Sequence, residues 1–291
     1  MKQPLFSILM CTKNSAATLR NAICSVRQQN IRDWELLILD NGSTDESWSL
    51  IQQFMQEDTR IHGTRLTQNV GWAKGAALCL EKAEGEYMTF LAADDFFVDE
   101  DCLEQVKIQI EKEDPDIVWV GHVEAVLDQG RYSAQAIRNP EYRIYSSAGD
   151  ASVDKSPDKI TEIYELMRDL YYNSFFHFEK ITFLKQQGIN FYEPYYADYE
   201  GMTRAMCASS KAVVLHKCVY ALTVNTSQTR EVSGWRDDSI QWKMIQSAMI
   251  NSGRYDRDNL SYIAARLLQR NVDAISIISA GGRLRDLKIM N

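Results

Sequence analysis

Short apolar runs alternate with amphipathic stretches through the first 120 residues. Residues 5–11 form a nearly continuous apolar run, the pattern of a strand buried on both faces. Leu19, Ala22, Ile23 and Val26 follow at the i, i+3, i+4, i+7 spacing of a helix with one buried face. Residues 34–39 read as a second strand ending at Asp40. Ser43 or Thr44 then stands where a helix cap is expected, ahead of Asp45 and Glu46 and the apolar positions Trp48, Ile51 and Met55. Residues 61–66 are a weaker third strand, followed by a helix on Ala73, Ala76, Ala77 and Leu80. A fourth strand, 87–91, runs into Asp94-Asp95. A helix over 99–113 leads to a fifth strand at 117–120. Strands separated by helices of this length imply a mainly parallel sheet covered on both faces, an α/β fold. Ligands of such sheets bind at the carboxyl ends of the strands, so function belongs in the loops after them.

The pattern changes after residue 121. Residues 128–157 read as a long irregular excursion of lid type. Ser156-Pro157 opens a predicted helix carrying Ile160, Ile163, Tyr164 and Met167. An aromatic and acidic stretch follows at 191–210, then strand-like runs at 212–216 and 219–224. From about residue 239 the chain reads as helices. No internal repeat or low-complexity tract interrupts it.

Composition narrows the class. The 291 residues are 45% hydrophobic and 25% charged, with a formal charge of −8, which describes a globular protein and not a disordered or collagen-like chain. An acidic chain argues against a nucleic-acid partner. The sequence holds no apolar run long enough to cross a bilayer, and Met1-Lys2-Gln3-Pro4 lacks a signal-peptide pattern, so the cytoplasm is the expected location. The six cysteines show no Cys-x-x-Cys pair and are expected to be free thiols. The charge is local: residues 94–116 hold ten acids and two bases. Two of those acids, Asp94 and Asp95, end a strand and suit a metal; the other eight are expected to be solvated.

The loops exclude as much as they suggest. Cys11-Thr12-Lys13-Asn14-Ser15 has no glycine, which rules against a dinucleotide fingerprint or a Walker loop. Asp40-Asn41-Gly42-Ser43-Thr44-Asp45 offers a carboxylate that can accept a base N–H, or simply an acidic helix start. Asp94-Asp95 are adjacent carboxylates at the mouth of the sheet; they suit a hard divalent cation, or one of them caps the next helix.

These residues together resemble family 2 glycosyltransferases. The segment PLFSILMCTKNSAATLRNAICSVRQQNIRDWELLILDNGSTDES is similar to the opening of that family. Asn69-Val70-Gly71, Ala83-Glu84-Gly85-Glu86-Tyr87, and Phe90-Leu91 before the acid pair continue it in register. The resemblance implies the GT-A fold, with a Rossmann-like central sheet. It would span 1–230 as a nucleotide-sugar half (1–120) and an acceptor half (121–230), with a helical C-terminal extension at 231–291. It implies an inverting transfer from a nucleotide sugar, UDP being usual, to a hydroxyl on a glycan, lipid-linked or protein-linked acceptor.

Residue by residue, the resemblance gives Asp40 the nucleobase, with the Thr12–Asn14 loop around it, and Gly71 the donor side. Asp94 and Asp95 take a manganese or magnesium ion on the diphosphate, and Asp198 is the general base. Lys74 is a candidate phosphate contact where the family has an Arg-Asn pair. Arg230, before Trp235, is a candidate charge over the diphosphate. Ala92 replaces the first acid of the Asp-x-Asp motif, which leaves open a catalytically impaired nucleotide-sugar-binding protein of the same fold. A sugar nucleotidyltransferase would need a Gly-rich, basic first loop. His177, among Phe175, Phe176 and Phe178, is weighed as a core histidine against an acceptor contact. The mildly basic tail suits a helical cap, a homodimer contact, or peripheral docking to the cytoplasmic membrane face.

Overall fold

The computed structural model describes residues 3–128, 131–138, 143–146, 154–155, 177–190, 201, 205 and 208–223. The first half is built as the hydrophobic pattern predicts. Strands β1 (Phe6–Thr12), β2 (Trp34–Asp40), β3 (Ile61–Arg65) and β4 (Tyr87–Phe90) alternate with helices α1 (Ala16–Arg27), α2 (Ser47–Glu57) and α3 (Trp72–Lys82). A two-residue strand β5 (Phe96–Phe97) and helix α4 (Cys102–Glu113) lead to β6 (Ile117–Asp128). Then come β7 (Arg131–Arg138), β8 (Arg143–Ser146), β9 (Asp154–Lys155), β10 (His177–Lys180), helix α5 (Ile181–Gln187) and β11 (Lys211–Thr223).

The strands join in the order β3-β2-β1-β4-β10-β6-β11-β8-β9, with β5 on β11 and β7 on β6. The β3-β2-β1-β4 block is parallel, as is β6 with β11. Between these blocks β10 runs antiparallel to both neighbours. Alternation along each strand divides the core in two. Leu9, Leu37 and Leu39 face α3, against Ala76, Cys79 and Leu80. Ile8, Met10, Leu36 and Ile38 face the other way, onto Leu19, Ile23, Ile51, Phe54, Leu103 and Val106 of α1, α2 and α4. Each fully buried side chain of this kind contributes about 1.5–3 kcal/mol.

At the opposite edge from the site, Glu35 ties the amino ends of the strands. Its Oε1 accepts from the Ser7 hydroxyl and from the N–H groups of Glu84 (2.7 Å) and Gly85 (3.2 Å). The described cysteines Cys11, Cys24, Cys79, Cys102 and Cys218 are free thiols. Among the described residues no helix is long and apolar enough to cross a membrane.

Four expectations change. The excursion at 128–157 contains strands: β7 folds back on β6 as a hairpin, and β8 pairs with β11. The runs at 212–216 and 219–224 are one strand, interrupted by register shifts between Val214 and Tyr220. Helix α2 begins at Ser47, not beside Ser43 or Thr44, because those two are used in a turn that binds the β1 loop. Neither Asp94 nor Asp95 caps α4, since β5 intervenes and the cap position is Asp101. The helix predicted after Ser156 and the helices after residue 239 lie outside the described residues.

Candidate active site

Three polar side chains form a row across the carboxyl edge of the sheet. Thr12, Asp40 and Arg65 end β1, β2 and β3 and are direct cross-strand partners, so they share one face. Thr12 is 2% exposed and its Oγ1 makes no hydrogen bond. Asp40 is completely buried. Its Oδ1 accepts the Ser43 N–H at 3.0 Å. Its Oδ2 lies 3.2 Å from Arg65 Nε but off the hydrogen-bond line, so the charge is compensated while the oxygen stays unbonded. Buried polar atoms without partners cost free energy, and two together at a strand edge suit a ligand's polar edge.

The loops around this row are cross-tied. The Ser43 hydroxyl accepts the Asn14 N–H at 2.9 Å, and Asn14 Oδ1 accepts the Thr44 N–H at 2.8 Å. Asn14 adopts φ +53, tolerated by Asn because its short side chain bonds locally. Asp45 accepts the N–H groups of Ser47 and Ala16, joining α2 to α1. The Ser47 side-chain hydrogen bond is the main reason its carboxyl sits below the usual range. Asn41 is the hub: its N–H reaches Thr12 O, its Oδ1 accepts the Val70 N–H, and its Nδ2 donates to Gly71 O. Gly71 precedes α3 at φ +87, a conformation that favours glycine. Gly42 turns at φ +76, with the main chain of Gln68 and Asn69 packed against it. Lys74 stands exposed on the first turn of α3.

The acid pair lies on the other side of this edge. Asp95 is 3% exposed and its Oδ1 accepts the Thr223 N–H at 2.8 Å. The Thr223 hydroxyl donates to Asp94 O. Burial pushes both carboxyls above the usual range, Asp95 far more, with Asp94's charge as a second cause. Tyr132, brought in by the β6–β7 hairpin, senses the same two carboxylates; burial is the larger cause of its raised hydroxyl pKa. Among the described residues no group of three or more His, Cys, Asp or Glu could hold a metal ion. His177 is fully buried on β10, its Nε2 3.5 Å from Glu179 Oε2 and its ring beside Trp119. Asp198 and Arg230 lie outside the described residues.

The structure therefore gathers Thr12, Asn14, Asp40 and Gly71 around one row and sets Asp94 and Asp95 in the connection between β4 and β5. Arg65, Asn41, Thr223 and Tyr132 were not picked out from the sequence. Arg65 ends the weakest strand pattern, Thr223 reaches Asp95 from 128 residues along the chain, and Tyr132 lies on a hairpin strand inside the stretch read as irregular. A signal for Asn41 existed, in its place between the strand end and Gly42.

The match to the model of glycosyl transferase family 2 covers residues 7–168, more than half of the chain and all of this row. The chain belongs to glycosyl transferase family 2. A glycosyltransferase of Haemophilus influenzae is 34% identical over 111 residues, which is 38% of this chain and 44% of that protein. A PGL/p-HBAD biosynthesis glycosyltransferase of Mycobacterium tuberculosis is 34% identical over 126 residues, 42% of this chain and 48% of its own. The matched segments thus span under half the length of these relatives. The fold resembles that of Staphylococcus aureus TarS (residues 1–349) solved with UDP-GlcNAc, at a TM-score of 0.71 and 18% identity, covering 98% of this chain and 78% of that one. This is the GT-A arrangement, and glycosyl transfer is the activity of the family.

Proposed function

We propose that this chain moves a sugar from a nucleoside diphosphate donor, UDP in the first instance, to a hydroxyl of a glycan, lipid-linked or protein-linked acceptor, with inversion. One observation carries the donor side. Thr12 Oγ1 and Asp40 Oδ2 lie buried and unbonded at neighbouring strand ends within the family-matched segment. In this reading the base sits against Thr12, Asn14 and Asp40, the diphosphate lies toward Gly71 and Lys74, and Arg230 adds positive charge there. The UDP-GlcNAc held by TarS is consistent with such a donor. Residues 1–230 form the transferase unit and 231–291 a separate extension.

The acceptor oxygen forms the new bond to the anomeric carbon while the bond from that carbon to the diphosphate oxygen breaks. The hydroxyl proton passes to Asp198, and the nucleoside diphosphate leaves with the bonding pair. One displacement gives inversion. A divalent cation fits Asp94 best. Asp94 is the less buried acid, whereas Asp95 spends an oxygen on Thr223, and each is held above its usual pKa by burial that a cation would offset. Manganese or magnesium held there, largely by the diphosphate itself, would neutralise charge on the leaving group.

Ala92 favours a second reading, a binder of nucleotide sugar without turnover. Calorimetric titration of UDP with and without Mn²⁺, paired with a donor-hydrolysis and transfer assay, separates the two. Asp198→Asn is expected to lose about 10²- to 10⁴-fold in transfer with UDP affinity unchanged. Full activity in that variant removes the base, and nucleotide binding without turnover in the parent protein supports the binder.

A further inference from the structure

We propose that Thr223 and Tyr132 are positioning residues for Asp94: they clasp its main chain and so hold its carboxylate ready for the cation. The proposal rests on the cation reading above and goes beyond it by naming what keeps the acid in place. Asp94 needs such support. Ala92 removes the first acid of the motif and Asp95 spends Oδ1 on the Thr223 N–H, so Asp94 is left as the main protein ligand. Among the described residues, no other residue hydrogen-bonds the Asp94 carboxyl. Its direction is therefore set through the main chain. The Asp95 N–H closes a turn onto Ala92 O at 3.1 Å, and the Thr223 hydroxyl donates to Asp94 O.

Tyr132 joins the clasp across β6. Thr223 and Ala134 are both register partners of Ala125, from β11 on one side and β7 on the other. The three share one face of the sheet, and Tyr132, two residues from Ala134, shares it too. Ala125 is buried and small, which leaves room for a tyrosine to reach over it toward β11. Phe96, paired with Ala221 of β11, supports the Tyr132 ring at 4.6 Å between centroids. Burial raises the Tyr132 hydroxyl pKa, hydrogen bonding with the Thr223 side chain opposes that, and Asn21 of α1 adds a smaller contribution of the same sign as Thr223.

Proton counting gives the clasp a direction. A hydroxyl carries one hydrogen. Thr223 spends its own on Asp94 O, so toward Tyr132 it only accepts and Tyr132 donates. The Asn21 amide can then donate to the Tyr132 oxygen. Every hydrogen in the chain points toward Asp94 O, and bonds aligned in this way strengthen one another. No hydroxyl hydrogen is spent on the Asp94 carboxylate, which stays open to a cation. Partners that orient a metal ligand in this way are worth about 10- to 100-fold in metal affinity.

The test is titration of Mn²⁺ into the full chain with UDP, followed by electron paramagnetic resonance. It uses the parent protein, Thr223→Val, Thr223→Ser, Tyr132→Phe and the Thr223→Val/Tyr132→Phe double variant. Thermal melts check folding, and calorimetric titration of UDP without metal reads the rest of the donor site. Valine keeps the shape and N–H of Thr223 but not its hydroxyl. Thr223→Val is expected to weaken Mn²⁺ about tenfold and Tyr132→Phe about threefold, while Thr223→Ser keeps the parent affinity. Metal-free UDP affinity should be unchanged in each. On the Thr223→Val background Tyr132→Phe should add nothing, because it acts through the hydroxyl already lost. Parent-like Mn²⁺ affinity in Thr223→Val, or additive losses in the double variant, overturns the proposal and leaves the cation site standing. Equal weakening of metal-free UDP and Mn²⁺ also overturns it, by making the two residues merely structural. Should Thr223→Val not fold, Tyr132→Phe decides, since it keeps the ring against Phe96, and parent-like Mn²⁺ affinity there overturns the clasp. A parent protein that binds UDP but no Mn²⁺ overturns the cation reading and the proposal together.

Discussion

At Asp95 a carboxylate accepts one main-chain N–H, from Thr223, yet is almost wholly removed from water beside Asp94. Desolvation, then the neighbouring charge, raises its pKa well above the unfolded value, so the native state holds the proton more tightly than the unfolded chain does. Stability therefore falls as pH climbs from the ordinary carboxylate range through the folded value. Asparagine keeps an oxygen for Thr223 and discards the charge. Asp95→Asn should match the parent protein near pH 3 to 4 and exceed it by about 1 kcal/mol or more at pH 7. For a chain of this size that is roughly 2–4 °C in Tm, read by thermal melts across pH. Equal melting at all pH values would mean that the carboxylate is not strained. The sequence singled out this acid because it ends a strand. It could not show Thr223, which lies 128 residues on and arrives only when β11 joins the sheet. Thr12 and Asp40 were legible for the same reason as Asp95, and Arg65 was hidden because β3 has too few apolar residues to mark its end.

Among the elements, β10 is a strand inside the sheet that the hydrophobic pattern does not announce, as it does not announce β5, β7, β8 and β9. It sits between β4 and β6, yet His177 and Glu179 fall at i and i+2 and so share a buried face. Two ionisable groups there break the apolar run that announces a central strand. They stand 3.5 Å apart, and none of their four nitrogen and oxygen atoms makes a hydrogen bond. Such a pair costs more to break than to delete, because one partner alone leaves an uncompensated polar group in the core. His177→Leu and Glu179→Met singly should each cost about 3–5 kcal/mol in urea unfolding, while the double variant should cost less than either. Additive losses would show that the two side chains do not interact. By contrast β1, β2 and α1–α3 were legible throughout, since their packing partners are near in sequence and their periods of two and 3.6 are unbroken.

Over the whole molecule the acidity of residues 94–116 has a purpose that composition did not disclose. From sequence, eight of those acids are expected to be solvated. The structure instead sets several against lysines of β10 and β11: Lys217 on Asp101 at 2.7 Å and Asp99 at 3.5 Å, Lys211 on Glu113 at 2.7 Å, and Lys180 on Asp114. Asp116 Oδ2 adds the N–H groups of Ser210 and Lys211. The acidic segment is thus a seam that fastens the second half of the sheet to α4. Hydrogen bonds from Lys217 and Lys211 are the largest causes that hold Asp101 and Glu113 below the usual carboxylate range. Lys217 is raised in turn, although burial opposes it. The carboxylates' contribution is complete above about pH 4, the ordinary value, and is lost as pH falls through the lower folded values. The lysine contribution persists until pH passes above its raised folded value. These pairs are partly exposed, so each contributes about 0.2–1 kcal/mol. Replacing Lys180, Lys211 and Lys217 together by Met should cost about 1–3 kcal/mol at pH 7. The loss should shrink in 1 M salt, where the Debye length is about 3 Å, and vanish toward pH 3. Denaturant unfolding across pH and salt measures it, and a loss that stayed constant would assign the lysines' effect to packing of their alkyl stems and not to charge.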